Sequence, residues 1–189
     1  MTEGFKQINW PRRAIAILAT TMCVLCILWN LETHTRLGFA VLRQQYMALQ
    51  LGLSLTIAFL SYDLRGKPAH VPNPLNLVVA AICLCTLLYA AGYFVWLLQE
   101  QFYRPWQITV VGTVVVIGVM EGVRRRAGWM LFSIVGVFLV YALFADKIPG
   151  RLIGREMSPI RLVDYIGFDS SAVFSSPLAV GTITVLLFV

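Results

Sequence analysis

The chain has 189 residues, 59% of them hydrophobic and only 13% charged, with a mean hydropathy of +0.78. A water-soluble domain is about half apolar and about a quarter charged, so this composition excludes a globule wetted on every side. Fifteen Lys and Arg against nine Asp and Glu leave a net charge of +6, which suits either a nucleic-acid binder or a membrane protein with basic flanks. The basic residues sit beside apolar blocks, which favours the membrane reading and no nucleic-acid partner.

A helix needs roughly 20 residues to cross about 30 Å of hydrocarbon, and in lipid only a helix satisfies its own backbone groups within one segment. The first candidate, Ala14–Leu31, follows Lys6, Arg12 and Arg13. That layout also fits a signal peptide, but the block is long for one and no small-x-small cleavage site follows, so a retained helix is expected. Tyr46–Tyr62 is the second block, with Gln50 inside it, and a turn-rich loop, Asp63–Pro74, follows. The third, Leu75–Leu98, is long enough to span with tilt. The fourth is strongly apolar over Ile108–Met120 and reaches spanning length if Trp106 anchors one end and Glu121 the other. Arg124, Arg125 and Arg126 then precede a fifth block, Ala127–Ala145.

The stretch Asp146–Ser171 is polar, with a turn at Pro149-Gly150. Ser158-Pro159 predicts a helix start, with Ile160, Leu162, Val163 and Ile166 forming an apolar stripe along the membrane surface and Arg161 and Asp164 facing water. The last block begins near Ala172 and holds Pro177. From Pro177 to Val189 there are thirteen residues, too few to cross a bilayer, so the sequence is expected to be the front of a longer protein. Pro177 reads either as a first-turn proline or as a deliberate helix break. Counting Lys and Arg gives eight on one side of the first four spans (Lys6, Arg12, Arg13, Arg65, Lys67, Arg124–Arg126) against three on the other (Arg36, Arg43, Arg104). A cytoplasmic N-terminus in an inner membrane follows.

No apolar block carries an ionisable residue at its centre, which is the usual mark of an ion or substrate path. The cysteines, Cys23 and Cys26 in one block and Cys83 and Cys85 in another, lack a nearby charge to activate a thiol and read as small buried hydrophobes. His34 and His70 lie in loops, and no nucleophile elbow, phosphate loop or zinc motif occurs. No catalytic, cofactor-binding or metal-ligating residue is expected. The dense polar feature is Glu121 with Arg124 and Arg125 at i+3 and i+4. It reads either as a helix-end anchor at the headgroups or as a lock onto a partner helix. Gly118 and Gly122 beside it form a small-xxx-small pair that lets another helix approach. Trp10, Trp29, Trp96, Trp106 and Trp129 fall near block ends, as interfacial anchors do.

The run Met120-Glu121-Gly122-Val123-Arg124-Arg125-Arg126-Ala127-Gly128-Trp129 resembles the fused membrane permease of tripartite ATP-independent periplasmic (TRAP) transporters, in which an acid, two arginines and Gly-Trp mark the junction of four helices with twelve. The likeness continues through Tyr141–Phe144, Lys147–Gly150 and Phe174–Val180, with a looser match over Arg43–Leu60. Ser171 stands where relatives usually carry glutamate, and Ser175 replaces a glycine. The resemblance implies an all-α polytopic membrane helix bundle: residues 1–126 a small-subunit-like four-helix scaffold, residues 127–189 the start of the large transport subunit. It also implies a periplasmic substrate-binding protein as partner, organic acid uptake by symport with Na+ or H+, and Glu121, Arg124, Arg125 and Trp129 at the junction. The alternatives are a non-catalytic accessory or assembly subunit of another inner-membrane complex and, weakest for want of a reactive cluster, a membrane-bound enzyme.

Overall fold

A computed structural model describes residues 10–36, 38, 41–64, 66–68, 72–100, 103, 106–145 and 158–168. Among these the secondary structure is helical throughout, in the order α1 (Trp10–Asn30), α2 (Thr33–Arg36), α3 (Arg43–Ser61), α4 (Pro74–Gly92), α5 (Phe94–Glu100), α6 (Trp106–Phe144) and α7 (Pro159–Phe168). Three are long and apolar enough to cross a membrane: α1, α4 and α6. The all-helical, membrane-type reading of the composition therefore holds.

Local chemistry sets most boundaries. Pro11 lies in the first turn of α1, where its missing N–H has no helical partner to lose. At α3 the Gln45 side chain accepts a hydrogen bond from the Leu42 N–H at 2.9 Å and donates to the Ala91 carbonyl of α4 at 2.8 Å. Asn73 caps α4, its side chain accepting from the Leu75 N–H at 3.5 Å, with Pro74 in the first turn. The expected third block, Leu75–Leu98, is divided at Tyr93, whose backbone (φ −102°, ψ 15°) leaves the helical region and bends the chain into α5.

The core runs along α3, which packs between α1, α4 and α6. Met47, Leu51, Leu55 and Phe59 of α3 meet Ala80, Cys83 and Leu87 of α4, Phe94 and Leu97 of α5, and Ile108, Val111 and Val115 of α6. Eleven of the nineteen residues of α3 are buried, although it is not among the three most apolar long helices. Its donors bond within the bundle, Gln50 to the Tyr46 hydroxyl at 2.8 Å and the Met22 carbonyl at 3.2 Å and Thr56 to the Gly52 carbonyl at 2.7 Å, while the Gln50 Oε1 is enclosed and unbonded. Trp29 is half-buried and stacks on Tyr46 with ring centroids 4.4 Å apart, so it ties α1 to α3 instead of serving only as an interfacial anchor.

Gly118 and Gly122 let α6 close on α3 and α4: a Cβ at 118 would stand 3.1 Å from the Cys83 Sγ, and one at 122 would stand 3.0 Å from Leu55. Farther up α6, Gly112 and Gly167 of α7 meet backbone to backbone, and a Cβ at 112 would lie 2.9 Å from the Val163 carbonyl. Part of the apolar stripe of α7 thus seats on α6, with Leu162 and Gly167 buried, while Ile160 is exposed. Ser158 caps it as its sequence indicates, accepting from the Arg161 N–H at 3.4 Å. Arg161 is exposed, but Asp164, expected to face water, is half-buried, with its Oδ1 enclosed and unbonded. The contact with α6 draws that face inward.

Candidate functional site

The fourth and fifth apolar blocks are two helical stretches of α6 that meet at a kink at Gly128 (φ 84°, ψ −177°), a conformation essentially restricted to glycine. Glu121 and the three arginines lie on the last turns of the first stretch, before the kink. Its geometry brings the expected pairs together. The Arg124 Nε donates to Glu121 Oε2 at 2.7 Å and its Nη2 to Oε1, a bidentate fork. The Arg125 Nε donates to the same Oε1 at 2.7 Å.

Arg124 and Arg125 then diverge. The Arg124 side chain is 22% exposed, with its guanidinium 5.5 Å from the Trp129 ring centroid. The Arg125 side chain is 1% exposed. Its Nη1 donates to Asn76 Oδ1 of α4 at 3.0 Å and to the Tyr62 carbonyl at the end of α3 at 3.3 Å, and its guanidinium lies 4.9 Å from the Phe59 ring centroid. Asn76 Nδ2 also donates to the Tyr62 carbonyl at 3.4 Å. One cation therefore joins the C-terminal end of α3, the N-terminal end of α4 and the middle of α6. A buried guanidinium is tolerated only when its charge and its fixed donors are matched in this way.

The connection between α3 and α4 closes over this clamp. Its turn is made by the Gly66 N–H donating to the Asp63 carbonyl at 2.8 Å, with Gly66 at φ +71°. A Cβ there would stand 3.2 Å from the Arg125 carbonyl, so both conformation and space call for glycine. Between the turn and the kink lies a cavity of about 300 Å³ lined by Leu64, Gly66, Arg124, Arg126, Gly128 and Trp129, among others. Arg126 is exposed and stacks 5.4 Å from the Tyr62 ring centroid.

Glu121, Arg124, Arg125 and Trp129 are thus brought into one cluster, while Pro177 lies outside the described residues. Asn76, Phe59 and Tyr62 complete the cluster and carry no local signal, because they stand 49 or more positions from Arg125. The alternation between anchor and lock resolves by residue: Arg125 is the lock, and Arg124 and Arg126 remain at the surface. Of the cysteines, Cys26 and Cys83 are buried, Cys23 half-buried and Cys85 exposed. Among the described residues no three His, Cys, Asp or Glu side chains group closely enough to hold a metal ion.

The constellation is one charged knot tying three helices of an all-helical chain with helices apolar enough to cross a membrane. No family model, no curated protein and no solved structure matches the chain.

Proposed function

We propose that this chain is the scaffold-bearing part of a membrane permease of the TRAP type, importing an organic acid on an ion gradient. The observation that carries the reading is the junction itself. The run that resembles the family's four-to-twelve junction, Glu121 to Trp129, is a charged knot followed at once by a kink. Residues before the kink pack into the bundle. Those after it do not: Trp129, Met130, Val137 and Phe138 are each at least 66% exposed. A scaffold of residues 1–126 joined to the start of a mobile transport part at 127–189 needs that division, fixed on one side and free to take partners on the other.

On this reading the bundle spans the inner membrane several times with a cytoplasmic N-terminus, and the basic cluster Arg124–Arg126 stands at the cytoplasmic face. A periplasmic binding protein delivers the acid, and Na+ or H+ drives its entry. The same exposed arm suits the alternative, an accessory subunit whose helix docks on another membrane complex. Uptake separates the two. Cells lacking the gene should lose high-affinity uptake of one organic acid, that uptake should require a binding protein, and an ionophore should abolish it. Unchanged uptake across a broad panel of radiolabelled acids overturns the permease reading, and co-purification with a complex of another function supports the alternative.

A further inference from the structure

Two concavities of different character meet at Arg126 and Ala127. The first is the arginine-lined cavity beneath Gly66. The second is an apolar groove of about 520 Å³ between α1, α3 and α6, whose walls include Ala19, Cys23, Ile57, Ala58 and Val123. Arg126 and Ala127 line both. A ligand filling the pair must be anionic at one end and apolar along the other.

The charge at the polar end is in excess. Three arginines face one carboxylate there, and Glu121 is already engaged by Arg124 and Arg125. Among the described residues no carboxylate lies within ion-pair distance of Arg126, whose guanidinium lies over the Tyr62 ring. A guanidinium at the edge of an apolar trough is poorly compensated and favours an anionic oxygen beside it. The trough is narrow. A helix with its side chains is about 10–12 Å across, so 520 Å³ would hold roughly one turn of it. A single hydrocarbon chain needs no backbone partners and fits between such small side chains.

We propose that this composite site binds one anionic phospholipid, its phosphate on Arg126 and the outward edge of Arg124, and an acyl chain in the groove between α1, α3 and α6. The lipid is then a third strand of packing between helices that touch only in part. It also neutralises the charge excess beside the knot. This site is independent of any transport reaction, because it needs only a membrane around the bundle.

Native mass spectrometry of the detergent-purified full chain tests it, with phosphatidylglycerol and phosphatidylcholine of identical acyl chains as probes. Phosphatidylglycerol should be retained at about tenfold lower concentration, because the phosphate of phosphatidylcholine brings a choline cation up against the arginines, and Arg126→Gln should erase that preference. Cys23→Phe, which fills the groove, should weaken retention of both lipids. Equal retention of the two lipids by the parent protein, or a preference that survives Arg126→Gln, overturns the proposal. Inorganic phosphate or glycerol 3-phosphate competing as well as the lipid means a small-anion site, and also overturns it. A readout free of variants is a phosphatidylglycerol carrying a photoreactive group on its acyl chain. Crosslinks to residues 19–23 or 57–58 support the site, and crosslinks found only elsewhere sink it.

Discussion

Arg124 and Arg125 are neighbours with the same side chain and share one carboxylate, yet their surroundings give them different work. Arg125 is enclosed and each of its contacts replaces a lost hydration, so its removal strands the Asn76 Oδ1 and leaves the Tyr62 carbonyl only the long bond from the Asn76 Nδ2. Arg124 gives up only part of its hydration, and an exposed ion pair is worth little. Arg125→Met should therefore destabilise the folded protein by about 3 kcal/mol, and Arg124→Met by about 1 kcal/mol or less, in reversible unfolding by denaturing detergent. Equal losses would mean that the clamp is an ordinary surface pair. The Glu121 pairing is legible in the sequence because i+3 and i+4 neighbours on a helix meet whatever the rest of the chain does. Asn76 and Phe59 are not legible, since a lone amide at the start of one apolar block and a lone ring at the end of another become partners only once three helices have packed.

Among the helices, α6 shows how far a backbone reading goes. The charge run reads as the end of one span before the next, and the helix carries on through it because arginine is a good helix former. The interruption comes two residues later, at Gly128, where a positive φ turns the chain. Gly136 on the same helix has equally open surroundings, with nothing within 4 Å of an added Cβ at either position. The two should respond to alanine with opposite sign. Gly136→Ala should raise unfolding stability by about 0.5–1 kcal/mol through reduced backbone freedom in the unfolded chain. Gly128→Ala should lower it by about 1–3 kcal/mol, or straighten the helix, because alanine is strained at that backbone conformation. Equal effects would show that the kink is not held by the glycine. The amphipathic helix α7 was legible in extent and cap but not in placement, because an apolar stripe fits a helix face as well as a lipid surface. What decides is the matched absence of side chains at Gly112 and Gly167, a complementarity that neither segment carries alone.

The class of the molecule follows from its totals, since 59% apolar residues in long blocks leave few ways to fold in water. The arrangement inside the class does not follow. Hydropathy ranks segments by their preference for lipid, and the most lipid-like window of α6 has no buried residue at all, whereas the densest packing belongs to α3. In a bilayer, the helix most suited to oil belongs outside, and the one with amides and hydroxyls belongs where other helices can answer them. Apolar blocks therefore mark the helices well and predict their depth in the bundle poorly. The i+3 and i+4 spacing located the knot, but only the packing of α3 and α4 explains why Arg125 is enclosed while Arg124 and Arg126 stay nearer the surface.

The buried polar face of α3 has a consequence for how the chain is made. Its Gln45 bonds to α4 and its Gln50 to α1, so the partners that satisfy it are synthesised one before it and one after. In a bilayer of the kind proposed, α3 presented alone to the insertion machinery should partition poorly, while its two flanking helices, present together, should carry it in. Gly- and Leu-based reporter fusions that score insertion of α3 alone, with α1, and with α1 and α4 should rise in that order, and Gln50→Leu should let the isolated helix insert. Full insertion of unaltered α3 by itself would refute this order. The least lipophilic long helix would then be the last to settle, held in the membrane by its neighbours and not by its own affinity for it.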